Sequence, residues 1–304
     1  MVFGFLRKKS KEESREAAGN KDVSSSPTNS DRYANQKLIP EIGEEGQEKL
    51  KKAKIMIIGC GGIGTSAAQY LAAAGVGKIG LIDNDYIDVT DIQRQPIYKT
   101  NDVGKRKAFV LADRLKEINP EAVIVPNSLR LRHDNAMKML KDYDIVIDSS
   151  NNMPTHYLLG DSCVLLSKPD IFASASVYGG RITVFDAKRG PCHRCIFPDP
   201  SSTKKEDAMI GPAAGLIGIV QAAEAMNLIL GNDDTLIGRM LSFSLMDMHF
   251  YNSEIKKNED CAICGKNPAI KELVDYDEFC GTKAKPQPAA LIFNKEKEAK
   301  QLDS

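Results

Sequence analysis

Residues 54–94 read KIMIIGCGGIGTSAAQYLAAAGVGKIGLIDNDYIDVTDIQR. A short apolar run at 55–58 ends in Gly59-Cys60-Gly61-Gly62-Ile63-Gly64, and an alanine-rich helical pattern follows. A second apolar run at 78–82 stops at Asp83. Strand, glycine turn, helix, strand and terminal acid make a βαβ unit of the nucleotide-binding kind. Gly59 serves the tight turn, Gly61 lets backbone approach a phosphate, and Gly64 lets the helix pack closely, so that its N-terminal amides face an anion. Asp83 is placed to accept hydrogen bonds from a ribose. By itself the glycine turn fits NAD, FAD or ATP, and a Rossmann oxidoreductase is the default for it.

Working outward, the same alternation continues. A loop at 84–105 carries Asp91-Ile92-Gln93-Arg94-Gln95, and a helix over 105–118 ends at Asn119-Pro120. Residues 122–126 read as a strand, 133–141 as a helix and 145–148 as a short strand ending in Asp148-Ser149-Ser150-Asn151-Asn152. Strands alternating with helices predict a doubly wound, mainly parallel α/β sheet, with ligands beyond the carboxyl ends of the strands. There Gly61, Asp83 and Asn151 gather. The second half changes character: 170–174 reads as a strand, 181–186 as an antiparallel one, and 239–244 and 249–255 as two more. Residues 198–206 are polar and expected to lie, mobile, over the site.

Upstream, residues 1–30 are too polar to bury a core and read as a flexible leader, and 32–52 read as a helical lead-in. The body spans 31–281, and 282–304 read as a loose polar tail. Formal net charge is zero, with 41 basic and 41 acidic residues, which argues against a nucleic-acid partner or strong membrane attraction. The N-terminus does not match a secretory signal. The apolar run at 211–231 carries Gln221, Glu224 and Asn227, which favours a buried helix over a membrane span. A cytoplasmic protein is expected.

Four of the 7 cysteines form two couples, Cys192-His193-Arg194-Cys195 and Cys261-Ala262-Ile263-Cys264. Two-residue spacing lets both thiolates of a couple bind one ion, and two couples complete a tetrahedral, structural zinc site. Four buried thiols or a redox couple is the alternative. Arg94 and Lys107 flank the acidic loop. Each alone reads as a solvated charge, but with Asp83 they suit a triphosphate under attack better than a passively held pyrophosphate.

From Tyr33 to Gly281 the chain resembles the MoeB/ThiF superfamily, adenylyltransferases that activate ubiquitin-like sulfur carriers, and within it the molybdopterin-synthase adenylyltransferases. The motifs are GCGGIG at 59–64, QYLAAAGVGKIGLIDND at 69–85, QRQ at 93–95 and VGKRKA at 103–108. They continue with GPCHRCIFP at 190–198, CAICG at 261–265 and DYDEFCG at 275–281. The resemblance implies ATP and Mg2+, with Zn2+ at the four cysteines. It also implies a homodimer, and as substrate a small β-grasp carrier protein whose Gly-Gly tail attacks the α-phosphate. Carried over, Gly59, Gly61, Gly62, Gly64, Asp83, Asp85, Asp91, Gln93, Arg94, Lys107, Asn151 and Asn152 form the nucleotide-binding set. Arg94, Lys107, Asp148 and Asn151 form the catalytic set.

Departures from that pattern matter. An arginine expected in the leader, which reaches phosphate across the dimer, is Asn35. An asparagine before QRQ is Asp91, an acid that would repel phosphates unless it helps recruit the metal. The magnesium-holding aspartate is Asn151, and a nearby arginine is His156. Asp148 is the candidate replacement for the lost carboxylate. No cysteine lies in 201–211, so adenylation without a thioester intermediate is expected, and no rhodanese-like sequence follows, so sulfur is expected from another protein. A catalytically impaired nucleotide- or carrier-binding module is the rival reading.

Overall fold

β1 (Lys54–Ile58) and β2 (Lys78–Ile82) pair in parallel, with Lys54 opposite Lys78 and Ile58 opposite Ile82. The helix Gly62–Ala73 joins them. The computed structural model describes residues 32–200 and 208–282. β3 (Val123–Asn127), β4 (Ile145–Asp148) and β5 (Asp170–Ala175) extend the parallel part. β6 (Gly179–Phe185), β7 (Arg239–Ser244) and β8 (His249–Glu254) add an antiparallel end. The 8 strands run in the order β3-β2-β1-β4-β5-β6-β7-β8. The expected fold class is therefore present. Its strand order reverses between β1 and β4, which opens a crevice beyond their carboxyl ends.

The alternation of side chains explains the layers. In β1, Ile55 and Ile57 enter one apolar cluster, while Met56 and Ile58 enter another on the opposite face. The first cluster takes Leu71 from Gly62–Ala73, Leu111 and Leu115 from the helix Lys107–Ile118, and Ile217 from the helix Gly211–Leu230. The second takes Leu140 from Ala136–Leu140 and Tyr157 and Leu158 from the helix Met153–Leu165. Strands covered on both faces are apolar throughout, as 55–58 is.

Several local expectations change. The lead-in is two helices, Ala34–Lys37 and Gly43–Lys52, separated by a turn at 38–42 that contains Pro40, which has no amide hydrogen for a continuing helix. The helix expected over 133–141 forms only at Ala136–Leu140, because Asn135 Oδ1 accepts the Arg132 amide at 2.9 Å and holds the preceding residues in a turn. Gly211–Leu230 is the one helix among the described residues long and apolar enough to cross a membrane by length and composition. Its Gln221 is fully buried and bonded to the sheet, and its buried Glu224 Oε2 accepts the Leu236 amide at 2.7 Å. The leader at 1–30, the segment 201–207 and the tail beyond Thr282 lie outside the described residues.

Asp170 opens β5 opposite Val146 and Phe185, with no exposure and no hydrogen bond to either carboxyl oxygen among the described residues. Burial, and then the nearby Asp148 charge, push its pKa well above the ordinary value. A raised folded pKa means the native state keeps a proton that the unfolded chain releases. Stability from this group therefore falls as pH rises above about 3.9, the unfolded value, toward the folded one. Asp170→Asn should flatten that fall and raise the thermal midpoint at pH 8 by several degrees, equivalent to about 1–3 kcal/mol. Thermal melts from pH 5 to pH 8 check this, and an unaltered pH dependence would contradict it.

Candidate functional site

The turn after β1 meets the end of β4. Gly59 adopts φ 97°, and a Cβ there would stand 2.6 Å from the Ser149 carbonyl oxygen. Only glycine meets both demands. A Cβ on Gly64 would collide with the Gly59 carbonyl, so the first helical turn folds back onto the loop. A Cβ on Gly62 would lie 2.7 Å from the Arg94 carbonyl oxygen, which packs that helix against the acidic loop. Around Gly61 nothing lies within 4 Å of a Cβ position. Gly61 is the N-cap of Gly62–Ala73 and no side chain caps that end. An open glycine before uncapped amides is a cradle for an anion.

Asp83 directly follows β2, beside this turn. Its Oδ2 accepts the Cys60 amide at 2.6 Å and its Oδ1 accepts the Asp85 amide at 2.7 Å. Burial raises its pKa more than these two hydrogen bonds lower it. Tyr98, 1% exposed, donates to the Cys60 carbonyl at 2.9 Å and the Lys107 carbonyl at 3.3 Å. Its hydroxyl thus ties the glycine turn to the start of Lys107–Ile118.

The loop between β2 and that helix brings Arg94 and Lys107 together. Asp88 caps one 3₁₀ turn, Val89–Asp91, and the Asp91 side chain returns to the Asp88 amide at 3.1 Å. Asp91 is buried. Its Oδ1 accepts from Arg94 Nη2 at 2.8 Å and Gln95 Nε2 at 3.0 Å, and its Oδ2 accepts from Lys107 Nζ at 2.9 Å. Burial alone would raise Asp91, but the Lys107 hydrogen bond, the Asp88 amide and the two cations together hold it below the ordinary carboxylate value. The acid that looked repulsive in the sequence is the joint partner of both cations. Gln93 is exposed, and its Nε2 donates to the Met209 carbonyl at 3.4 Å, just ahead of the helix Gly211–Leu230.

At the end of β4 the residues divide by role. Asp148 is fully buried and does not reach the crevice. Its Oδ2 lies 2.6 Å from His156 Nδ1 and its Oδ1 accepts the Ser150 hydroxyl at 2.6 Å. Burial opposes its charge, but the His156 charge and these hydrogen bonds bring its pKa below the ordinary value. Asn152 caps Met153–Leu165 by accepting the Thr155 amide at 3.0 Å. Asn151 is exposed and makes no side-chain hydrogen bond to the described residues. Asp85 is likewise exposed; its carbonyl accepts the Lys107 amide at 3.1 Å. Gln221 donates to the Asp148 and Ile171 carbonyls, both at 2.8 Å, and accepts from Ser149 Oγ at 2.9 Å. The one signal for this role in the sequence is that Gln221 is among three polar residues, with Glu224 and Asn227, inside an apolar run.

The sulfur atoms of Cys192, Cys195, Cys261 and Cys264 all lie within 4.8 Å of one another. Neighbouring pairs are 3.7, 3.5 and 3.4 Å apart. Disulfide bonds would put sulfurs at about 2.0 Å, whereas a tetrahedral thiolate site with bonds of about 2.3 Å has edges of about 3.8 Å. The group can hold a metal ion. Arg194, between two of these cysteines, makes a two-pronged ion pair with Asp161 at 2.7 and 2.9 Å. Tyr276 Oη donates to the same carboxylate at 2.6 Å. This joins the C-terminal segment to both the cysteine knuckle and Met153–Leu165. Widely separated residues carry it, and no spacing in the sequence announces it.

A glycine turn, the acid that follows β2 and two cations paired on one carboxylate thus meet at the switch point of a doubly wound sheet. The profile of the ThiF family matches residues 33–263, and the chain belongs to that family. It is 39% identical over 261 residues to a sulfur carrier protein adenylyltransferase of Thermus thermophilus, covering 83% of this chain and 96% of that one. It is 40% identical over 266 residues to the adenylyltransferase and sulfurtransferase MOCS3 of Aedes aegypti, covering 86% of this chain but 61% of the relative. Among solved structures, E. coli MccB with ATP superposes with a TM-score of 0.66 at 25% identity, covering 77% of this chain and 74% of that one.

The cysteine group yields a direct test. Elemental analysis of the purified protein should find about one metal ion per chain. Cys261→Ser with Cys264→Ser should remove it and lower the thermal midpoint by several degrees, because structural metal binding adds to folding free energy. A metal-free, equally stable wild type would contradict this.

Proposed function

We propose that the chain is an ATP-dependent adenylyltransferase acting on the C-terminal glycine carboxylate of a ubiquitin-like or sulfur-carrier protein. The observation carrying this reading is the convergence of the uncapped Gly62–Ala73 amides, Asp83, and the Arg94 and Lys107 pair on one glycine turn. Family membership and the 39% identical carrier adenylyltransferase support the same chemistry.

In this reading the triphosphate lies over Gly61 and the helix amides, with its ribose at Asp83. The carrier carboxylate oxygen attacks the α-phosphorus and forms an acyl-adenylate. The bond from the α-phosphorus to the bridging oxygen breaks, and pyrophosphate leaves with that electron pair. Arg94 and Lys107 offset the charge that grows on the phosphates in transfer, the kind of contribution commonly worth about 10²–10³ in rate. Mg2+ would screen the same charge, with Asn151 offering an amide oxygen where a carboxylate would bind a hard cation more strongly. Asp148 acts from beneath, fixing Ser150 and His156 under that loop. Zn2+ is the metal best matched to four thiolates, in a structural role with no open position.

The carrier is a small β-grasp protein ending in Gly-Gly, and the acting form is a cytoplasmic homodimer. With no cysteine in 201–211, the product is the acyl-adenylate rather than an enzyme thioester at that segment. A second reading, a nucleotide- or carrier-binding module with impaired catalysis, rests on Asn151, His156 and Asn35 standing where charged residues are expected. A nicotinamide oxidoreductase is the weakest reading, since the paired cations answer no need of hydride transfer.

ATP–pyrophosphate exchange with Gly-Gly-terminated carriers separates these readings. Exchange that requires one carrier's intact tail is expected, with Arg94→Ala and Lys107→Ala each lowering it at least about a hundredfold. Bound ATP without exchange, for every such carrier, would refute the first reading in favour of the second.

A further inference from the structure

Asp91 is the shared partner of both cations at the glycine turn. Four donors converge on its carboxylate: Arg94 and Gln95 on Oδ1, Lys107 and the Asp88 amide on Oδ2, at 2.8 to 3.1 Å. They come from two elements, the loop around Val89–Asp91 and the start of Lys107–Ile118. The Lys107 and Asp91 side chains are 9% and 7% exposed. An incoming anion therefore meets cations whose positions are already set. One lysine N–H is used by Asp91 and two remain for a ligand, while the guanidinium retains several of its five.

We infer that Asp91 is a positioning residue that seats Arg94 and Lys107 on one buried carboxylate and lowers the charge they present to phosphates from two positives to one. This rests on the adenylation reading of the site. The physical consequence is a division of labour. A pocket with two unopposed cations binds ATP and pyrophosphate tightly in the ground state, which adds nothing to the chemical step. A half-neutralised pair in fixed positions gives up ground-state attraction and keeps the alignment on which rate depends. It also lets the pyrophosphate product leave sooner.

The test uses the full chain and three variants of the ligand problem: pyrophosphate alone, ATP with magnesium, and complete exchange with carrier. Asp91→Asn removes the charge at nearly constant shape. It should tighten pyrophosphate binding by calorimetry about tenfold and steepen its dependence on salt, since one more positive charge faces the anion. The kcat for exchange should fall about tenfold, so that the KM for ATP and kcat decrease together. Asp91→Glu keeps the charge but cannot hold the same four bonds. Its pyrophosphate affinity should stay within about threefold of wild type while kcat falls.

Unchanged affinity and salt dependence in Asp91→Asn would overturn the inference, as would an unchanged kcat in Asp91→Glu. A purely structural role predicts a lowered thermal midpoint with KM and kcat intact. If Asp91→Asn does not fold, Asp91→Glu decides alone. If wild type binds pyrophosphate but supports no exchange, the adenylation reading fails and the affinity and salt measurements still judge Asp91. A wild type that binds neither anion overturns both.

Discussion

At Gly59 the chain has room for hydrogen and nothing more. The Ser149 carbonyl stands where a side chain would begin, and the backbone there is left-handed. Much of the site follows from that contact. The turn after β1 lies flush against the end of β4, and Gly64 folds onto the turn in its place. The Gly62–Ala73 helix is thereby aimed with its amides toward the crevice, and Arg94 is brought over Gly62. A methyl group at Gly59 would have to separate two central strands that are bonded along most of their length. Strain of that kind cannot be absorbed locally in a close-packed sheet.

Three buried acids among the described residues are handled in three ways. Asp91 is buried yet kept ionised, since burial is offset by two cations and two further donors. Asp148 is buried more completely and is matched to a single histidine and a serine. Asp170 has no hydrogen-bond partner among the described residues, and burial pushes its pKa well above the ordinary carboxylate value. The same side chain type thus serves as charge anchor, as hydrogen-bond hub and as a tolerated cost in the core. What separates the cases is the number of donors within reach, because transfer of a carboxylate from water is unfavourable in every one.

The parallel half of the fold was readable because its signals are local. Residues 55–58, 78–82 and 145–148 are short apolar runs at the spacing of βαβ units, and each is a strand within a residue of its expected ends. The cysteine couples were readable for the same reason, and their sulfurs meet. Other features stayed hidden because they join distant residues. Arg194, Asp161 and Tyr276 form one buried group, yet each alone looks like an ordinary polar residue. Asp91 read as a liability for phosphate binding, since a sequence cannot show that Lys107 returns to it across the loop. Asp148 read as a possible metal ligand, and its side chain turns inward instead. Asn151 and Asn152 are adjacent in sequence but differ in use, one exposed and the other spent on capping a helix.

Gln221 has a consequence in time as well as in space. It reaches from the long helix to the Asp148 and Ile171 carbonyls and to Ser149, 72 residues earlier in the chain. Until that helix has left the ribosome, the end of β4 lacks the amide that fixes it, and the Gly59 turn has a loose wall to press against. At roughly 5–20 residues per second, translation separates Ser149 from Gln221 by roughly 4–14 s. For that interval the wall beneath the Gly59 turn is unfinished. A turn whose wall is fixed by residue 221 is thus completed long after its signature glycines at 59–64 have been made.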